Sequence, residues 1–137
     1  MKSAIRMDGV TLAVESVRRS MNYYCKKLGF KLEVNAAPHF AMIRVGGPRG
    51  GTIGLLASAE ARKDGAKKMT ARHKRAIHIE LSTDDLDGLY KRLRAKGVRF
   101  YAPPHDEPWE RSMSASDPDG YTVEFAQGYR GHNARTG

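Results

Sequence analysis

Polar and apolar positions alternate along the chain in short runs, and two of those runs open the same sequence of elements. Gly9 to Val14 and Ile77 to Ser82 each read as a strand. After the first, Ser16 can cap a helix whose Val17, Met21, Tyr24 and Leu28 recur at roughly helical spacing, and Gly29 follows as a stop. After the second, Thr83 or Asp84 can cap a helix with Asp84, Asp85 and Asp87 in its first turn. Leu86, Leu89, Tyr90 and Leu93 line one face of that helix, and Gly97 ends it. Extended stretches then close each half: Phe30 to Val34, Phe40 to Val45 and Thr52 to Ala57, and Val98 to Tyr101, Ser112 to Ser116 and Tyr121 to Ala126. Turn residues separate them, among them Gly46 to Gly51 and the run Asp117-Pro118-Asp119-Gly120.

The chain is thus an internal repeat of strand, helix and three strands. One such module leaves a sheet face uncovered. Two of them, packed edge to edge, predict an α+β fold of paired βαβββ modules, with a cup-shaped mixed sheet and the helices outside. The expected organisation is one domain over 1–137: module 1 at about 5–58, a part-helical connector at about 59–75, module 2 at about 76–127 and a loose tail at 128–137.

Composition narrows the class. A chain of 137 residues, 40% hydrophobic and 28% charged, suits a globular protein with one core. No apolar run is long enough to span a bilayer and no signal peptide is evident, so the expected compartment is the cytoplasm, without membrane association. A single cysteine, Cys25, excludes an internal disulfide. The net charge of +9 is uneven: residues 1–75 hold 16 Lys and Arg against 5 acids, and residues 76–137 hold 8 against 10. Arg62, Lys63, Lys67, Lys68, Arg72, Lys74 and Arg75 concentrate the excess. No aromatic residue interleaves with them, so the expectation is a solvated linker rather than a nucleic-acid surface.

Candidate chemistry sits at four repeat-related positions. Aligning the halves sets Gly9 on His78 and Gly54 on Glu124. His78 and Glu80 share one face of their strand, and Thr122, Glu124 and Ala126 share one of theirs. An imidazole and one or two carboxylates suit a divalent metal or an acid–base pair. The structural alternative for His78 is a core histidine hydrogen-bonded to a carboxylate such as Glu124. Thr11 and Thr52 offer only hydroxyl oxygens beside the glycines. His39 and His105 each follow a proline in corresponding loops, and Arg44 and Arg111 are candidate anion clamps. Trp109, near Tyr101, is a candidate pocket wall. Cys25 has no His or helix N-terminus beside it to lower its pKa, so it is not expected to act as a nucleophile, and the glycine cluster matches no phosphate-binding fingerprint.

Two stretches carry a family resemblance: Met21-Asn22-Tyr23-Tyr24-Cys25-Lys26-Lys27-Leu28-Gly29-Phe30 and Asp117-Pro118-Asp119-Gly120-Tyr121-Thr122-Val123-Glu124-Phe125, with His78 opening a strand between them. Over roughly residues 5–127 the chain resembles the vicinal oxygen chelate superfamily, which includes glyoxalase I, bleomycin-resistance proteins, fosfomycin-resistance enzymes and extradiol dioxygenases. The resemblance implies a cup of paired modules, commonly a homodimer, with metal ligands in some members on the first, fourth, fifth and eighth strands. Carried over, His78 and Glu124 match the fifth- and eighth-strand ligands, while Gly9 and Gly54 stand at the first and fourth.

Those glycines favour the branch that binds small molecules without a metal, in the room that the missing side chains leave. The expected function is therefore small-molecule binding with no cofactor, through His78, Glu80, Glu124, Thr11, Thr52, Arg111 and Trp109. The alternative is a metal-dependent lyase, isomerase or dioxygenase that uses Mn, Fe, Ni or Zn on His78, Glu124 and an unidentified ligand. Glu124 is the candidate catalytic group, with metal-free proton transfer also open.

Overall fold

The computed structural model describes residues 3–63, 65 and 67–128. The predicted tail at 128–137 lies outside the described residues except for Gly128, which ends the last strand. The chain forms two compact units, Met1–Lys68 and Met69–Gly137.

In the first unit, β1 (Gly9–Val14) leads through α1 (Val17–Met21) and a π-helical turn (Asn22–Lys27) into β2 (Lys31–Ala36), β3 (Phe40–Arg44) and β4 (Thr52–Ala57), followed by α2 (Ser58–Lys63). In the second, α3 (Ala71–Arg75) precedes β5 (His78–Ser82), α4 (Leu86–Ala95), β6 (Arg99–Asp106), β7 (Glu110–Ser116) and β8 (Thr122–Gly128). Each unit holds one four-stranded mixed sheet, ordered β1-β4-β3-β2 and β5-β8-β7-β6. The first strand of each returns beside the last in parallel, because the helix carries the chain across the sheet before the antiparallel strands fold back. The predicted α+β class and paired βαβββ modules are those observed. Among the described residues, no helix is long and apolar enough to cross a membrane.

Caps and stops set the helix lengths. The Ser16 hydroxyl accepts the Arg19 N–H, as expected. In the second unit the cap moves one residue: Asp85, not Thr83 or Asp84, accepts the Gly88 N–H, while Thr83 accepts the N–H of Asp85. Gly97 (φ 84°) ends α4, with the Val98 N–H on the Leu93 carbonyl and the Gly97 N–H on that of Arg94.

The first helix departs from the predicted spacing. After Met21 it widens into π geometry, and the Leu28 N–H reaches back five residues to Tyr23. The wider turn lets two consecutive tyrosines face inward, Tyr23 and Tyr24, with rings edge to face at 4.9 Å. Around Tyr24, the core of this unit is built from Leu12, Val14, Val17, Ala41, Ile43, Ile53 and Leu55. Ile79, Leu86, Leu93, Met113, Ala115, Val123 and Phe125 form that of the second unit.

Two further expectations change. The stretch expected at Val98 to Tyr101 continues to Asp106 as β6, running through Pro103 and Pro104. Being an edge strand, it tolerates the missing N–H groups, and its pairing shifts register on either side of Ala102. The connector is not wholly solvated, since Lys74 is buried and its Nζ lies 2.9 Å from Asp119 Oδ1. Around that pair, Thr122 Oγ1 donates to the Arg75 carbonyl, the Arg75 guanidinium lies over the Tyr101 ring, and the Tyr101 hydroxyl donates to the Gly120 carbonyl. Asp117 Oδ1 holds the adjoining turn by accepting the N–H groups of Asp119, Gly120 and Tyr121.

Candidate functional site

Strand register decides which side chains can act together. In the second unit His78 pairs with Thr122 and Glu80 with Glu124 across β5 and β8, while Ser114 and Ser116 pair with Glu124 and Thr122 across β7. Paired residues point to the same side, so one sheet face carries His78, Glu80, Glu124, Thr122, Ser114 and Ser116. The opposite face is apolar and covered by α4, which bonds β8 through the Leu86 N–H and the Gln127 side-chain oxygen.

On the polar face, His78 Nδ1 lies 3.5 Å from Glu124 Oε1, with the histidine side chain half exposed and the glutamate about a quarter exposed. Glu80 is exposed. Ser114 is half-buried beside Glu124. The face thus offers an imidazole in contact with a carboxylate, a second carboxylate and hydroxyls. Such a set can accept hydrogen bonds from a cationic or N–H-rich group, or move a proton between Glu124 and a bound molecule.

The first unit repeats the register with different side chains. Gly9 pairs with Thr52 and Thr11 with Gly54, so Gly9 stands where His78 does and Gly54 where Glu124 does. Neither glycine leaves open room, which corrects the expectation of vacated space. A Cβ on Gly9 would collide with the carbonyl oxygen and the hydroxyl of Thr52. On Gly54 it would meet Thr11 Oγ1 at 2.6 Å, Thr11 Cβ at 3.2 Å and the Phe40 ring at 3.3 Å. Thr11 is exposed, and the Thr52 hydroxyl donates to the Asp8 carbonyl at 3.3 Å. The same face continues with Phe40, Met42 and Arg44 on β3, so it is more apolar than its counterpart.

The resemblance implies a metal in some relatives, and the residues present do not fit one. Among the described residues, no group of three or more His, Cys, Asp or Glu side chains could hold a metal ion. His78 and Glu124 remain a pair.

The remaining candidates stand apart. Arg111 points to the helix-covered face, where its guanidinium binds both oxygens of Asp87 on α4 (3.2 and 2.9 Å) and Asp106 (3.1 Å). Those bonds raise its pKa further and hold the Asp87 carboxyl below its ordinary value. Arg44 is likewise engaged, donating to both oxygens of Glu33 (3.0 and 2.7 Å) and to the Gly50 carbonyl. Trp109 is 57% exposed in the turn before β7. Seven residues separate it from Ser116, roughly 20 Å along a strand. His39 contacts Glu60 at 3.1 Å. His105 lies in β6 rather than in a loop, with Nδ1 2.8 Å from the Pro103 carbonyl and Nε2 3.2 Å from Glu107. Ser114 and Ser116 were missed by sequence reasoning, although the parity of Ser112 to Ser116 against Thr122 to Ala126 could have found them.

Comparison with known proteins agrees with this architecture. YetH of Bacillus subtilis (strain 168), described as uncharacterized, is 24% identical over 113 residues, 81% of this chain and 88% of its own. A glyoxalase/bleomycin resistance protein/dioxygenase from Nocardioides superposes with a TM-score of 0.75 at 26% identity, covering 95% of this chain and 88% of that one. TnmS3, an antibiotic binding protein from Streptomyces sp. CB03234, gives a TM-score of 0.72 at 20% identity over 94% of this chain and 100% of its own. A family model matches residues 6–125, and the chain belongs to the Glyoxalase/Bleomycin resistance protein/Dioxygenase superfamily.

Proposed function

We propose that the protein binds a small organic molecule through the strand faces carrying Glu80, Glu124 and His78, without a metal ion. One observation carries the reading. Of the four strand positions that the superfamily resemblance assigns to metal ligands, two hold His78 and Glu124, and the other two are glycines whose side-chain space Thr52 and Thr11 occupy. Two carboxylates and an imidazole on one face favour a ligand bearing a cationic or N–H-rich group. The antibiotic-binding relative TnmS3 supports the same class of activity. The superfamily resemblance supports a homodimer.

The test combines metal and ligand titrations. Protein purified without chelator is titrated with Mn²⁺, Fe²⁺, Ni²⁺ and Zn²⁺, and a panel of antibiotics and other small molecules is screened by thermal shift. Hits that survive EDTA and weaken tenfold or more in Glu124→Gln are expected. Tight stoichiometric metal uptake, lost together with activity in His78→Ala, would overturn the metal-free reading. A second reading, proton transfer by Glu124, is favoured by its 3.5 Å approach to His78. It predicts turnover of a hit, with a pH dependence that His78→Ala removes.

A further inference from the structure

A separate groove lies on the other side of the first unit's sheet, between the first helix and edge strand β2. Its volume is about 620 Å³, within the roughly 300–1,000 Å³ typical of small-molecule sites. On the strand side it is lined by Leu32 and Asn35, whose cross-strand partners Ile43 and Ala41 are buried in the core. It therefore opens on the helix-covered face, not on the face that carries Gly9 and Gly54.

The lining sorts into two kinds. Met21, Cys25 and Leu32 supply an apolar floor. Burial pushes the Cys25 thiol up, so it contributes as a small apolar group rather than a nucleophile. Arg18 and Lys26 supply charge, eight residues apart and so roughly 12 Å along the helix axis. Neither cation has an acidic partner among the described residues, and no Asp or Glu lines the groove. Three acids of this unit are engaged elsewhere, Glu33 with Arg44, Glu60 with Lys63 and His39, and Glu15 with Ser58. Asn35 adds a donor, because its side-chain oxygen accepts the Ala37 N–H and leaves the amide NH₂ as its free polar end. A drug-sized concavity with an apolar floor, two unpaired cations, an amide donor and no carboxylate is complementary to one class of ligand.

We propose that this groove binds a small organic anion with an apolar body, its anionic group held by Arg18 or Lys26 and its body resting on Met21, Cys25 and Leu32. The site is independent of the strand face proposed above and would persist if that reading failed.

The probe is 8-anilinonaphthalene-1-sulfonate, an aromatic sulfonate whose fluorescence reports binding. Cys25, the one cysteine of the chain, serves as the positional reporter. Titration of the full chain should give saturable binding at one site per chain. Saturating probe should slow N-ethylmaleimide alkylation of Cys25, followed by mass spectrometry, at least tenfold. Arg18→Glu with Lys26→Glu should weaken binding at least tenfold and abolish the protection, with the milder Arg18→Ala/Lys26→Ala pair as a check should the first melt early. Glu124→Gln should change neither readout, and neutral naphthalene should compete poorly. Unchanged Cys25 alkylation, unchanged affinity in both double variants, or loss of binding in Glu124→Gln would overturn the proposal.

Discussion

Thr11 fills the space that a side chain on Gly54 would need, with its hydroxyl oxygen 2.6 Å and its Cβ 3.2 Å from where that Cβ would stand. The two are register partners across β1 and β4, so Gly54 cannot gain a side chain unless Thr11 gives way. Gly54→Ala should therefore destabilise the protein by about 1–3 kcal/mol through overpacking. Adding Thr11→Gly should recover part of that loss, a coupling that a double-mutant cycle in urea measures. Gly9→Ala should cost at least as much and resist rescue by Thr52→Gly, because the Thr52 backbone carbonyl is among the obstructing groups. Equal rescue at both positions would contradict this account.

Lys74 and Asp119 form a buried ion pair, their side chains 6% and 0% exposed. Removing one partner takes the ion pair away from a buried group. Lys74→Ala is expected to cost on the order of 3–5 kcal/mol, whereas Arg72→Ala, on an exposed residue two positions away, should stay within about 0.5 kcal/mol. Chemical denaturation of both variants distinguishes a structural anchor from one more charge in a basic run.

Arg111 holds the Asp87 carboxyl below its ordinary value, first by hydrogen bonding and then by charge. A carboxylate with a depressed folded-state pKa stabilises the fold above its unfolded pKa, and that contribution fades as pH falls through the folded value. The window opens near the ordinary aspartate value of 3.8 and extends downward. Arg111→Met should thus be less stable than the parent at pH 6, and the gap should close on acidification below about pH 4. High salt should narrow it as well, since the pair faces solvent. Melting curves across pH 2–6 provide the check. A gap that does not depend on pH would remove the ion pair from the explanation.

Tyr23 and Tyr24 both face inward because the first helix widens at Asn22–Lys27. Replacement of either by Ala should cost on the order of 3–5 kcal/mol, as for other large aromatic truncations. With regular α-helical spacing, only Tyr24 would carry such a penalty. A negligible loss in Tyr23→Ala would therefore argue against the π turn.

The repeat was legible because strand periodicity is short and strict. The offset that pairs Gly9 with His78 and Gly54 with Glu124 follows from the alternation within four short strands, and the ladders keep it residue for residue. Less local features were harder to read. A 3.6-residue period cannot announce a turn with an extra residue, so it places Tyr24 but not Tyr23 on the inward face. The burial of Lys74 depends on Asp119, a partner 45 positions away in a turn. Arg111 looks like any strand arginine until α4 brings Asp87 to it. The space at the glycines is illegible in the sequence for a related reason. Sequence shows which side chain is absent, whereas only coordinates show what has moved into its place.

The approach of Thr52 to Gly9 also has a historical reading. Where glycine lies this close to a neighbouring strand, exchanging it for a larger residue meets a backbone rather than a vacancy. The position works as a one-way gate in sequence space. A side chain at Gly9 would first require β1 and β4 to move apart, whereas the polar face of the second unit can change without disturbing a strand pairing.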